Sequence, residues 1–186
     1  LSISLDGKFA GVGHKNGLTF LNEGGRPIWN NTKIRRVRDI SISTRTGLMS
    51  IASGQKVIYL VNRDGRIRWH RELQSKAVST SISSRGNTIA VGTDEGRLIV
   101  YDGKGKVRWE KHLSNSDFSV NSVDISSDGQ CIVVGTNYSR VYLYNIEGDI
   151  LWTKETSGEV LQTCISSNGD YVGYLTNDNT FTFRVK

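Results

Sequence analysis

Few residues of this chain have the types and spacing to do chemistry. His14, His70 and His112 are its only histidines, and no two of them stand at the short intervals that zinc ligands need. Cys131 and Cys164 do not complete such a set, and two cysteines are too few for a disulfide framework. Both are expected to be small buried strand residues, the usual place of a free cysteine. Asp94-Glu95 is an adjacent acidic pair in a polar turn, whereas acid–base catalysis needs carboxylates that converge on one point. Gly11-x-Gly13-x-x-x-Gly17 falls in a strand and its turn and opens no helix, so it is not a dinucleotide fingerprint. Asn30-Asn31-Thr32 and Asn137-Tyr138-Ser139 match the glycosylation sequon, which matters only in a compartment that glycosylates. The residues therefore lead us to expect no catalytic site, no metal and no cofactor, and they do not indicate a small-molecule ligand.

Charge says more. Residues 1–80 hold 14 Lys/Arg against 5 Asp/Glu, and residues 81–186 hold 10 against 13, so the first part is strongly basic and the second mildly acidic. The densest cluster is Lys33-Ile34-Arg35-Arg36-Val37-Arg38. Its alternation leaves Ile34 and Val37 to pack and Lys33, Arg35, Arg36 and Arg38 to face solvent.

These cations have to be positioned by something, and the chain repeats one frame four times: Asn or Asp, two residues, Gly, three residues, Trp. The copies are Asn22…Gly25…Trp29, Asn62…Gly65…Trp69, Asp102…Gly105…Trp109 and Asn145…Gly148…Trp152. The four Trp lie 40, 40 and 43 residues apart, the signature of a repeat architecture. Asn or Asp opens the turn, Gly supplies its positive φ, and Trp anchors the strand that follows. Each repeat begins with Ile-Ser and a Gly-closed turn, as in Ile82-Ser83-Ser84-Arg85-Gly86 and Ile125-Ser126-Ser127-Asp128-Gly129. The copy Ile42-Ser43-Thr44-Arg45-Thr46-Gly47 has one extra residue. Next comes a continuous apolar run such as Cys131-Ile132-Val133-Val134-Gly135, the pattern of a strand buried on both faces.

Four short strands per repeat predict an all-β chain, a β-propeller of four-stranded blades of about 40 residues. The blades fall at approximately 1–39, 40–80, 81–122 and 123–163, with a three-stranded partial blade over 164–186 that lacks the Gly-x-x-x-Trp hairpin. The chain opens at Leu1 within a repeat, so it is expected to be a piece of a larger propeller. On this reading Trp29, Trp69, Trp109 and Trp152 lock blade to blade, because a ligand-stacking aromatic would appear once and not in every repeat.

The run Asp128-Gly129-x-x-Ile132-x-Val134-Gly135, followed by Val141-Tyr142-Leu143-Tyr144-Asn145, resembles a WD-repeat blade, with Tyr101-Asp102 and Tyr144-Asn145 where that family places Trp-Asp. The Gly-x-x-x-Trp that follows resembles the tryptophan-docking motif of quinoprotein-type propellers. The combination is similar to the PQQ-like/WD-like repeat proteins of archaea and bacteria. The resemblance implies the fold over essentially the whole chain. It does not bring the quinone cofactor, because nothing here resembles the vicinal cysteine pair or cofactor-ligand set of the quinoprotein dehydrogenases.

In a propeller the blade-to-blade connections and the turns between second and third strands share one face. His14, Lys15 and Lys76 should therefore join Lys33, Arg35, Arg36 and Arg38 there, with Asp94, Glu95, Asp117 and Glu159 further round. Solubility and edge protection account for Arg66, Arg68, Lys106 and Arg108 on outer strands but not for the loop cluster. The expected function is a non-enzymatic scaffold whose loop face binds a protein partner, an acidic one by charge. The alternative is an enzyme or ligand-binding propeller completed by blades outside this chain, or a polyanion binder. Nucleic acid is disfavoured because no exposed aromatics interleave with the basic loop residues. No run is apolar for the roughly 18 residues a membrane span needs, and the sequence assigns no compartment.

Overall fold

The computed structural model describes residues 1–4, 6–113 and 118–185. Every regular element among them is a β-strand. The first sheet holds β1 (Ser2–Ile3), β2 (Phe9–His14), β3 (Gly17–Asn22) and β4 (Pro27–Asn31), and the second β5 (Val37–Ile42), β6 (Met49–Ser53), β7 (Val57–Val61) and β8 (Ile67–Glu72). The third holds β9 (Ala77–Ile82), β10 (Thr88–Thr93), β11 (Arg97–Asp102) and β12 (Val107–His112). The fourth holds β13 (Val120–Ile125), β14 (Cys131–Thr136), β15 (Arg140–Asn145) and β16 (Ile150–Glu155). The fifth has three strands, β17 (Val160–Ile165), β18 (Tyr171–Thr176) and β19 (Phe181–Val185). Each sheet is antiparallel and pairs its strands in chain order. From the second blade on, the first strand starts three or four residues before the boundary read from the repeat, at Val37, Ala77, Val120 and Val160.

The repeated residues build the blade locally. The Ile-Ser serine closes the first turn: Ser126 Oγ accepts Cys131 N–H at 3.0 Å and donates to Asp128 at 2.6 Å. In the copy with the extra residue, Gly47 N–H reaches back four residues to Ser43 O instead of three. In the hairpin, Asp102 Oδ1 accepts the N–H groups of Lys104 and Lys106, and Gly105 takes φ +78°. The apolar second strands β10 and β14 are buried throughout.

Four apolar cores lie between successive sheets, one per joint. At the outer rim the repeated frame is complementary to itself. The Trp29 indole N–H donates to Arg63 O at 2.8 Å, Trp69 to Gly103 O at 3.2 Å and Trp109 to Ile146 O at 2.7 Å, each carbonyl lying in the next blade's hairpin. A Cβ on Gly65, Gly105 or Gly148 would come within 3.0, 2.8 or 3.0 Å of the docked ring, so the turn glycine is also the seat for the preceding tryptophan. A Cβ on Gly25, in the first hairpin, would have nothing within 4 Å. Trp152 packs against the core between the fourth and fifth sheets.

The inner rim is joined by polar atoms. The first strand of a sheet is an edge with N–H groups outside the ladder, and in the third, fourth and fifth sheets the preceding blade supplies their acceptors. Asp39 Oδ2 accepts from Thr80 N, Ser79 Oγ from Val123 N, and Ser122 Oγ from Thr163 N, at 2.8, 3.1 and 2.9 Å. Two residues on, Ser41 accepts from Ile82 N, Ser81 from Ile125 N, and Asp124 from Ile165 N, at 3.3, 3.2 and 3.0 Å.

Cys131 is buried as expected, but Cys164 is exposed. It lies on β17 in register with Ser41, Ser81 and Asp124, the row that faces the following blade. No further blade packs on β17 among the described residues, so the row is uncovered there.

Candidate docking site

At every joint from the second blade on, the turn between second and third strands is sewn to the connection that enters the blade. Gly54, Asp94, Asn137 and Asn177 donate their N–H groups to the carbonyls of Arg36, Lys76, Ser119 and Glu159, at 2.9, 3.0, 3.1 and 2.9 Å. In the third and fourth blades the turn side chain returns the bond: Asp94 Oδ1 accepts Lys76 N–H at 2.9 Å, and Asn137 Oδ1 accepts Ser119 N–H at 2.8 Å. Asp94 Oδ2 also stands 3.3 Å from the Lys76 ammonium.

The second blade has Gly54 at that position and cannot return the bond. Arg36 N–H turns to Lys15 O of the first blade at 2.9 Å, and Arg36 takes φ +49°, a conformation that L side chains seldom adopt. A groove of about 380 Å³ opens over the bare glycine, lined by Lys15, Arg36, Val37, Arg38, Gly54 and Lys76. Ile34 is fully buried and Val37 packs on the same core, which leaves the cations between them in solvent. Among the described residues no acidic side chain pairs with Lys15, Arg36 or Arg38.

The fold thus brings Lys15, Arg36, Arg38 and Lys76 together. Lys33 and Arg35 are exposed on the same connection without lining the groove, and Arg35 Nε donates to Thr32 O at 3.0 Å. His14 ends β2, one residue before Lys15, and its Nδ1 accepts Asn16 N–H at 3.3 Å. Asp94, Glu95 and Glu159 occupy the later joints, and Asp117 lies outside the described residues.

Two carboxylates that the sequence reading missed stand half-buried at the inner rim. Asp39 accepts from Ser79 Oγ, Thr80 N and Ile40 N, and Asp124 from Ser81 Oγ, Ile125 N and Ile165 N. Burial pushes both carboxyls up against these bonds, and the Asp39 charge raises Asp124 further. Three donors each commit them to the ladder. Their signal in sequence is an Asp among the Ser and apolar residues of a first strand, beside Arg38 in β5 and near Asn121 in β13. Beside the Trp docks, burial and the nearby Glu110 push the Tyr101 phenol up to about 12, and burial raises Tyr144 as well.

No curated protein matches the chain. Among solved structures, the β-propeller domain of Myceliophteria thermophila Cps50 (Swd1) superposes with a TM-score of 0.83 at 12% identity, over 98% of this chain and 63% of that one. At that identity the likeness shows the fold, and this chain spans less than two thirds of its neighbour. No helix among the described residues is long and apolar enough to cross a membrane. A family model described as outer membrane protein assembly factor BamB matches residues 53–175, about two thirds of the chain, and the chain belongs to that family of PQQ-like propeller repeats.

Proposed function

We propose that this propeller is a non-enzymatic docking scaffold that engages an acidic protein partner through its loop face. The observation that carries the reading is the groove at the joint of the first three blades, where Lys15, Arg36 and Arg38 converge without counter-ions while the next joint neutralises its lysine with Asp94. Unpaired cations on a rigid face steer an acidic partner and set its orientation. The commitment of Asp39 and Asp124 to interblade hydrogen bonds supports a structural use of these half-buried carboxylates, and the family's description as an assembly factor is in keeping with a binding role. The test is photo-crosslinking from position 76 in the source cell, with the crosslinked partner segment sequenced. An acid-rich segment, lost with Lys15→Glu/Arg36→Glu/Arg38→Glu and weakened by salt, is expected. A segment without acidic residues, or the same capture by the reversed variant at low salt, would overturn the reading.

A further inference from the structure

The joints of this chain contain their own template for what the groove binds. At the third blade a carboxylate, Asp94, fills the space between turn and connection and faces the Lys76 ammonium at 3.3 Å. At the fourth blade Asn137 fills it with an amide. At the second blade the same backbone bond is made, Gly54 N–H to Arg36 O, but the side chain is missing and the cations are more numerous. A Cβ on Gly54 would stand 3.3 Å from Arg38 Nε and 3.5 Å from Arg36 O, so the space over the glycine is bounded by the guanidinium and the connection itself.

We propose that the groove over Gly54 is a seat for a carboxylate of the partner, an Asp or Glu side chain that takes the place Asp94 holds one blade on. This rests on the docking reading above and names its central contact. Arg36 N–H is already given to Lys15 O, so the incoming carboxylate is held by side-chain cations alone: the Arg36 and Arg38 guanidiniums, with Lys15 at the rim. Charge-assisted bonds of this kind are about twice as strong as neutral ones, and the planar guanidinium matches a carboxylate in two-point contact. Glycine at position 54 is then the residue that keeps the seat open.

Gly54 does not have positive φ, and the atom nearest an added Cβ belongs to a movable side chain. A side chain can therefore be introduced there. The experiment measures binding of a short fluorescent Glu-Ser repeat peptide by anisotropy to the wild type and to Gly54→Ala, Gly54→Asp and Gly54→Asn. Thermal midpoints are recorded for each. Gly54→Ala adds bulk without charge and should bind within about twofold of wild type. Gly54→Asp places the protein's own carboxylate in the seat and should weaken binding about tenfold or more, although no cation has been removed. Gly54→Asn, which restores the residue type of Asn137, should also weaken it and serves if the aspartate variant does not fold.

Gly54→Asp binding as wild type does, while Lys15→Glu/Arg36→Glu/Arg38→Glu loses the peptide, would overturn the seat and leave the docking reading standing. Retention of the peptide by all variants would overturn both. Equal loss with Gly54→Ala and Gly54→Asp would reduce the glycine to a steric gate and overturn the carboxylate seat. An oligonucleotide of equal formal charge that displaces the peptide at equal concentration would overturn the choice of a carboxylate ligand.

Discussion

At the outer rim of the first three joints a blade meets the next through an indole laid on a bare glycine; at the inner rim of the last three it does so through hydroxyl and carboxylate oxygens that take backbone N–H groups. The second and third blades, and the third and fourth, are joined by both of these opposite means. The outer contact removes a large apolar surface from water, about 25 cal/mol per Å², and needs only that ring and glycine face each other. The inner contact gains little net free energy per bond, because each replaces a bond to water, but an acceptor out of place would leave a buried N–H unpaired. A slip of one residue in a first strand would turn both acceptor rows away from their donors. The outer rim accordingly supplies strength and the inner rim supplies register.

The sharpest way to break this division is Trp109→Ala in an interior blade, which should cost about 3–5 kcal/mol in a denaturant titration. A loss under about 1 kcal/mol would mean the indole is not what holds the outer rim. Next in size is a pair of turn glycines. Gly105→Ala drives a Cβ to 2.8 Å from the Trp69 ring at φ +78°, and should cost about 2–3 kcal/mol. Gly25→Ala has a similar φ, +71°, but nothing within 4 Å, and should cost only the left-handed penalty of about 1–2 kcal/mol. Equal costs would show that the turn conformation matters and the seat does not.

At the inner rim, Ser122→Ala removes the acceptor of Thr163 N–H inside the fourth joint and should cost about 1–3 kcal/mol. A neutral result would mean water replaces the hydroxyl, and the ladder would then not set register. The pH dependence sharpens the same point. Asp39 and Asp124 have folded pKa values raised above the ordinary carboxylate value, so the folded state binds protons first. Their share of stability therefore grows as pH falls through the raised values and is complete below the unfolded value. Asp6, Asp102 and Asp178 are shifted down and act in the opposite sense. The comparison is thus the thermal midpoint of wild type against Asp39→Asn/Asp124→Asn. Acid should favour the wild type relative to the variant, and a difference that is constant with pH would show that neither carboxyl titrates as placed. The smallest effect is expected from Lys15→Glu/Arg36→Glu/Arg38→Glu, within about 0.5 kcal/mol per substitution, because the three side chains are exposed.

The blade could be read from sequence because its determinants are local. Asn or Asp opening a turn, glycine at positive φ and serine closing the Ile-Ser turn act within five residues of chain, and recurrence at a fixed period announces the rest. Even the cationic connection was legible, since Ile34 and Val37 alternate with the charges that flank them. The inner ladder was not. Asp39 and Ser81 look like ordinary strand residues until the neighbouring blade presents its N–H groups, and those partners lie about a whole repeat away. Cys164 fails for the same reason, because burial is decided by what packs on β17 and not by the residue type.

Gly54 stands between these cases. Its departure from Asp94, Asn137 and Asn177 is visible once the turns are aligned, but a missing side chain has no meaning until the space it leaves has walls. Sequence alone determined the strands, the turns, the period and the sign of charge on the connection, because each follows from residues close together in the chain. Only the tertiary structure decided that Lys15, Arg36, Arg38 and Lys76 surround one glycine, because those cations come from three blades and meet only when the inner strands are stacked in register.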